Sequence, residues 1–256
     1  MKRGLLPISL LAACVLLSVG CSDSGDSPPT AEQARSESIS EQAGAPGVLI
    51  GRILFEGAVP PARKIQVNKD VNECKQAAGV VQDVVVSGNG GLADAVVEVL
   101  GMRNKGDRVW PDPKDGYVIH QKDCRFSPHL LVTPIGAELV IYNDDPVTHN
   151  INTGHWNEAQ GPGADPLKKK IRGRGFVRVN CNIHSWMESW VYVAQSPYYA
   201  VTGSSGEFRI EGLPPGSYRV TANYPTLGNE RFQIKIGSGQ TVEKDVTFRS
   251  PQRRTS

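Results

Sequence analysis

The sequence predicts an all-β protein built as β-sandwiches, and three observations carry that expectation. Glycine and proline are plentiful, 27 and 18 of 256 residues, which favours turns and short strands over long helices. Short apolar or alternating runs recur along the chain between turn residues. No long segment shows the 3.6-residue periodicity of an amphipathic helix. The length allows one domain or two.

The strand signals justify themselves in order. G-V-L-I-G-R-I-L-F (47–55) is an apolar run punctuated by glycine, and A-D-A-V-V-E-V-L-G (93–101) is another. L-L-V-T-P-I-G-A-E-L-V-I-Y-N (130–143) reads as two strands joined by a Pro-Ile-Gly-Ala turn. G-F-V-R-V-N-C (175–181) alternates with period two, as a half-buried strand does. E-F-R-I-E-G-L-P-P-G-S-Y-R-V-T-A (207–222) reads as two strands around a Pro-Pro-Gly turn.

Composition is that of a globular protein, 39% hydrophobic and 21% charged, with a formal net charge of +2. There is no basic footprint for nucleic acid. Residues 1–20 read as a targeting segment: Lys2 and Arg3 precede an apolar run, Leu5 to Val19, too short to span a bilayer comfortably. The run ends in L-S-V-G-C, which resembles a bacterial lipoprotein lipobox, with Ser18 where leucine is commoner. The resemblance implies that Cys21 carries lipid, and Ser22 behind it implies sorting to the outer membrane. The alternative is an ordinary cleaved signal peptide with a stray cysteine. Either exports the protein and permits disulfides. Residues 21–46 read as a tether, since 22–46 holds one isoleucine and no aromatic residue. Its typical reach is about 25–30 Å.

The stretch V-T-G-S-S-G-E-F-R-I-E-G-L-P-P-G-S-Y-R-V (201–220) resembles the carboxypeptidase regulatory-like, or transthyretin-like, domain. The first-half pattern of that family also exists here, far upstream, at Gly51-Arg52-Ile53 and Ala95-Val96-Val97-Glu98-Val99. One account is a single regulatory-like sandwich, 47–101 plus 198–249, with a second domain of residues 102–197 inserted. The other is two independent domains in series.

The chemistry concentrates in C-N-I-H-S-W-M, which spaces Cys181, His184 and Met187 as C-x2-H-x2-M. Upstream, N-D-D-P-V-T-H-N holds His149, read as ending a neighbouring strand. A copper ion that cycles between two oxidation states wants a thiolate, two imidazoles and a weak thioether. Gaps of two residues suit a tight loop, because on a strand Cys181 and His184 would point to opposite faces. Zinc also takes Cys and His, but thioether is a poor zinc ligand.

This arrangement, with Phe126-Ser127-Pro128, Gly136, Asn143 and the His149-Asn150 pair, resembles the cupredoxins and is most similar to amicyanin, over about Tyr117 to Ala194. The resemblance implies a Greek-key β-sandwich and one type 1 copper site. His149, Cys181 and His184 would be the strong ligands and Met187 the axial one. Asn150 would tie the His149 loop to the ligand loop. Ser185 stands where amicyanin has proline. The implied role is single-electron transfer to a redox partner protein, through the apolar surface around His184. The alternative is a copper carrier, store or sensor without a redox partner. No catalytic triad, phosphate-binding loop or open coordination position is evident, so enzyme chemistry is not expected.

Cys74 and Cys124 remain as a pair, read as a disulfide or as two reduced thiols. Closing that loop is worth about 4 kcal/mol in the chain-entropy model. His120, Cys124 and His129 are weighed as a second metal cluster and disfavoured, and His155 reads as solvated. K-K-K-I-R-G-R-G (168–175) is a docking patch for an acidic partner or, preferably, a solvated loop. Trp186 is an apolar rim or a packing residue.

Overall fold

The computed structural model describes residues 44–102 and 109–250. The signal segment, the lipobox, Cys21 and the tether up to residue 43 lie outside the described residues.

In chain order the first strands are β1 (Gly47–Glu56), β2 (Arg63–Ile65), β3 (Gly79–Val81) and β4 (Val96–Val99). Next come β5 (Tyr117–Lys122), β6 (Arg125–Ser127), β7 (Leu130–Pro134), β8 (Glu138–Asn143) and β9 (His149–Asn152). They are followed by β10 (Asn157–Gln160), β11 (Leu167–Lys170), β12 (Gly175–Asn180), β13 (Glu188–Ala194) and β14 (Tyr199–Val201). The chain closes with β15 (Glu207–Leu213), β16 (Gly216–Tyr224), β17 (Gly228–Ile236), β18 (Thr241–Glu243) and β19 (Val246–Arg249). One short helix, α1 (Val71–Cys74), lies between β2 and β3.

Both flanks of the chain build one sandwich. One sheet runs β15-β1-β18, with β19 also on β1, and the other runs β14-β4-β16-β17. β1 alternates buried and half-buried residues along its length and sends Leu49, Ile53 and Phe55 into the core. There they meet Val97 and Val99 of β4, Phe208 and Ile210 of β15, and Val220 of β16. Gly51 faces β15 at Phe208. Its Cα approaches the Lys244 carbonyl so closely that a Cβ would sit 2.0 Å from the oxygen, so only glycine fits.

The intervening strands form a central sandwich. Its sheets are β10-β9-β12-β13-β7 and β11-β8-β5-β6. The apolar faces of Ile119, Leu139, Ile141, Ile151, Val179, Val191 and Val193 share its core. β7 and β8 are consecutive strands in different sheets, so the Pro-Ile-Gly-Ala turn crosses the sandwich and closes no hairpin. The excursion between β1 and β4 departs from the sequence boundaries. Ile65, Cys74 and Ala77 pack into the central core rather than the flanking one.

β4 is buried on both faces. Val97 and Val99 face the flanking core, while Val96 packs with Tyr192 and Ala194 of β13. Glu98 is buried in the same joint and accepts hydrogen bonds from the Tyr192 hydroxyl (2.7 Å) and the Gln195 (2.5 Å) and Ser196 (2.8 Å) N–H groups. Burial raises its pKa, against the pull of those three donors.

Candidate metal centre

One end of the β9-β12-β13 sheet carries the site. His149 opens β9; it does not end the preceding strand, because β8 stops at Asn143 and a loop intervenes. Cys181 follows β12 directly, and the loop from it leads into β13. That loop is closed by its own backbone. The Cys181 N–H donates to the Met187 carbonyl (3.2 Å), and the Met187 N–H donates to the His184 carbonyl (3.0 Å).

The two Nδ1 atoms of His149 and His184 lie 3.0 Å apart. Cys181 Sγ is 3.9 Å from His184 Nδ1, and the three potential ligand atoms all fall within 4.8 Å of one another. Both imidazoles are fully buried, Cys181 is 2% exposed and Met187 1%. Cys181 is a free thiol. Its sulfur accepts from the N–H groups of His184 (3.3 Å) and Asn150 (3.4 Å), partners suited to a buried sulfur anion. Asn150 also joins the two segments through its side chain, where Oδ1 accepts from the Asn182 N–H at 2.5 Å.

Two carboxylates complete the arrangement. Asp145 Oδ2 sits 2.7 Å from His149 Nε2, and Asp70 Oδ2 sits 2.8 Å from His184 Nε2. An ionised carboxylate only accepts, so each Nε2 carries the proton and each Nδ1 presents a lone pair inward. Two facing lone pairs at 3.0 Å repel unless they share a cation. Burial lowers the pKa of His149 in spite of the Asp145 hydrogen bond and charge. Two imidazole nitrogens, a sulfur and a buried thioether residue make a donor set that fits copper. The other metal-capable group among the described residues is Cys124, Asp145 and His149. Its sulfur is bonded to Cys74 and offers no thiolate.

The structure joins Cys74 and Cys124 in a disulfide, across 50 residues of chain. His120 stands apart from the site, bonded to Asp144 (2.7 Å) and stacked on Tyr142. Trp186 is buried under the loop, with its Nε1 donating to the Cys124 carbonyl at 3.1 Å, so it packs and forms no exposed rim. Lys168 to Lys170 lie on β11, an edge strand rather than a loop, with Lys169 paired to Glu158. Lysines on a sheet edge discourage pairing with another strand. His155 is exposed.

Sequence reasoning missed both carboxylates. Asp145 had a signal, since it lies four residues before His149 in the quoted motif. Asp70 had none: it lies 114 residues from His184 along the chain.

Solved structures offer partial likenesses. A purple cupredoxin from Nitrosopumilus maritimus is 23% identical over 30% of this chain and 98% of its own, with a TM-score of 0.27. Amicyanin from Paracoccus versutus is 17% identical over 38% of this chain and 96% of its own, with a TM-score of 0.28. A copper-containing nitrite reductase from Thermus scotoductus SA-01 is 17% identical over 30% of this chain and 22% of its own, with a TM-score of 0.25. No curated protein matches the chain. The family model for the carboxypeptidase regulatory-like domain matches residues 190–249, which begins within β13 of the central sandwich and runs through β14 to β19 of the flanking one.

Proposed function

We propose that the site is a type 1 copper centre and that the protein carries single electrons between redox partners. The observation that supports this best is the convergence of two buried imidazole Nδ1 atoms with a free, buried cysteine sulfur. Bound copper would supply a one-electron couple. His149 and His184 would hold it in both oxidation states, Cys181 would ligate as thiolate, and Met187 would be the weak axial ligand that tunes the potential. Ligands this buried favour retention of the ion over its release, and so favour an electron carrier over a copper carrier. The disulfide and the lipobox-like segment support an exported protein, lipid-anchored at Cys21 and facing the periplasm.

Loading with Cu(II) and recording visible and EPR spectra tests the reading. Intense thiolate-to-copper charge transfer is expected, and Cys181→Ser should abolish it. Met187→Leu should keep the colour and shift the potential. A colourless protein that retains zinc in copper-rich medium refutes the proposal. Reversible voltammetry with copper held against a chelator supports the electron carrier, and loss of copper on reduction supports a copper carrier instead.

A further inference from the structure

We infer that Asp70 is a positioning residue for His184, and that the Cys74–Cys124 disulfide is the clasp that holds Asp70 and Asp145 on the outer edges of the two histidines. The consequence for copper rests on the reading above; the geometry does not.

Asp70 precedes α1 at the position where an aspartate ordinarily caps the helix. Its side chain makes no capping hydrogen bond and reaches across to His184 Nε2 instead. Its backbone takes φ 46° and ψ 48°, a left-handed conformation that residues other than glycine seldom adopt. Such an outlier persists only where its surroundings impose it. The imposing contacts are local: the Asp70 carbonyl accepts from the N–H groups of Glu73 (3.1 Å) and Cys74 (2.8 Å).

Across the disulfide the pattern repeats. Cys124 and Asp123 form the two-residue turn between β5 and β6, with φ of 53° and 54°. Asp145 accepts both of their N–H groups, at 2.8 and 2.7 Å, while its Oδ2 also meets His149. The Cys124 carbonyl holds Trp186 of the ligand loop. One covalent bridge therefore joins the segment that carries Asp70 to the turn whose N–H groups hold the Asp145 carboxylate. Asp70 is partly exposed while His184 is fully buried, so the outer edge of His184 faces a carboxylate. The apolar contact surface expected around His184 from the sequence is replaced there by a charged cap.

The metal-free protein gives the first test. Carbethoxylation of His184, followed by peptide mass, should be slow beside that of exposed His155. Asp70→Ala should accelerate it severalfold, and Cys74→Ala with Cys124→Ala should do the same. Should the double variant fail to fold, Asp70→Ala, which keeps the disulfide, decides alone. In the copper-loaded protein, Asp70→Ala should weaken Cu(II) binding about 10- to 100-fold, the usual cost of losing a carboxylate behind a ligating histidine. Asp70→Asn retains an acceptor oxygen without the charge. It should protect His184 nearly as wild type does, yet raise the reduction potential, because a negative charge favouring Cu(II) is gone. Wild-type labelling and affinity in Asp70→Ala would overturn the inference. Labelling that depends on Asp70 in a protein that holds no copper would sink the copper reading and leave the positioning role standing.

Discussion

The two sandwiches differ in what they bury. The flanking core is hydrocarbon and aromatic: Leu49, Ile53, Phe208, Ile210, Val220 and Phe248 fill it. The central sandwich buries polar groups at one end, with His149 and His184 beside Asp145, Asn143 and the hydrogen-bonded pair Gln121 and Gln160 (2.8 Å). Burying such groups costs free energy unless each finds a partner. The flanking core is held mainly by apolar packing, whereas the central one keeps a polar cluster whose members find partners in one another, His149 on Asp145 and Gln121 on Gln160. Their assembly differs too. The central strands are contiguous in sequence, while β1 must find β15 across more than a hundred residues.

The sharpest way to break this comparison is to remove one flank. Residues 200–249 alone lack β1 and β4, the partners of β15, β14 and β16. No cooperative unfolding transition is expected from that fragment by calorimetry or denaturant titration. A cooperative transition would mean that the C-terminal strands close a core without the upstream flank.

A matched pair of substitutions is next in size. Phe208→Ala opens the flanking core and should cost about 3–5 kcal/mol while leaving the copper spectrum unchanged. Asp145→Ala strips an acceptor from two buried-turn N–H groups and from His149. Each donor left unpaired costs about 1–3 kcal/mol, and here the spectrum should change as well. Denaturation midpoints and visible spectra on the same samples separate the two outcomes. Loss of the spectrum in Phe208→Ala would show that the sandwiches are coupled.

The smallest effect is expected at the joint. Burial raises the folded-state pKa of Glu98 above its ordinary 4.5. The folded protein therefore holds this proton more tightly than the unfolded chain does. The stability so contributed is fully present below 4.5 and is lost as pH rises through the raised folded value. Glu98→Gln should flatten that slope in denaturant titrations across the acid-to-neutral range. An unchanged slope would place the pH dependence elsewhere.

Legibility followed the range of the interactions. β1, β4, β7, β8, β12, β15 and β16 were visible because period-two burial and turn residues act within a few positions. β11 was not, since a run of lysines resembles a solvated loop until an edge strand gives it a partner in β8. The ligand loop was legible for the same local reason, a three-residue rhythm closed by its own backbone bonds.

By itself, the sequence determined the all-β class, the positions of β1, β4, β7, β8, β12, β15 and β16, and the residue types that can hold a soft, redox-active ion at Cys181, His184 and Met187. The tertiary structure alone decided that β1 and β4 share a core with β15 and β16, that residues 63–81 pack on the central sandwich, and that Asp70 meets His184. The physical reason is distance along the chain. Periodicity and spacing report forces between near neighbours, whereas a carboxylate 114 residues from its histidine is brought there only by the packing of everything between.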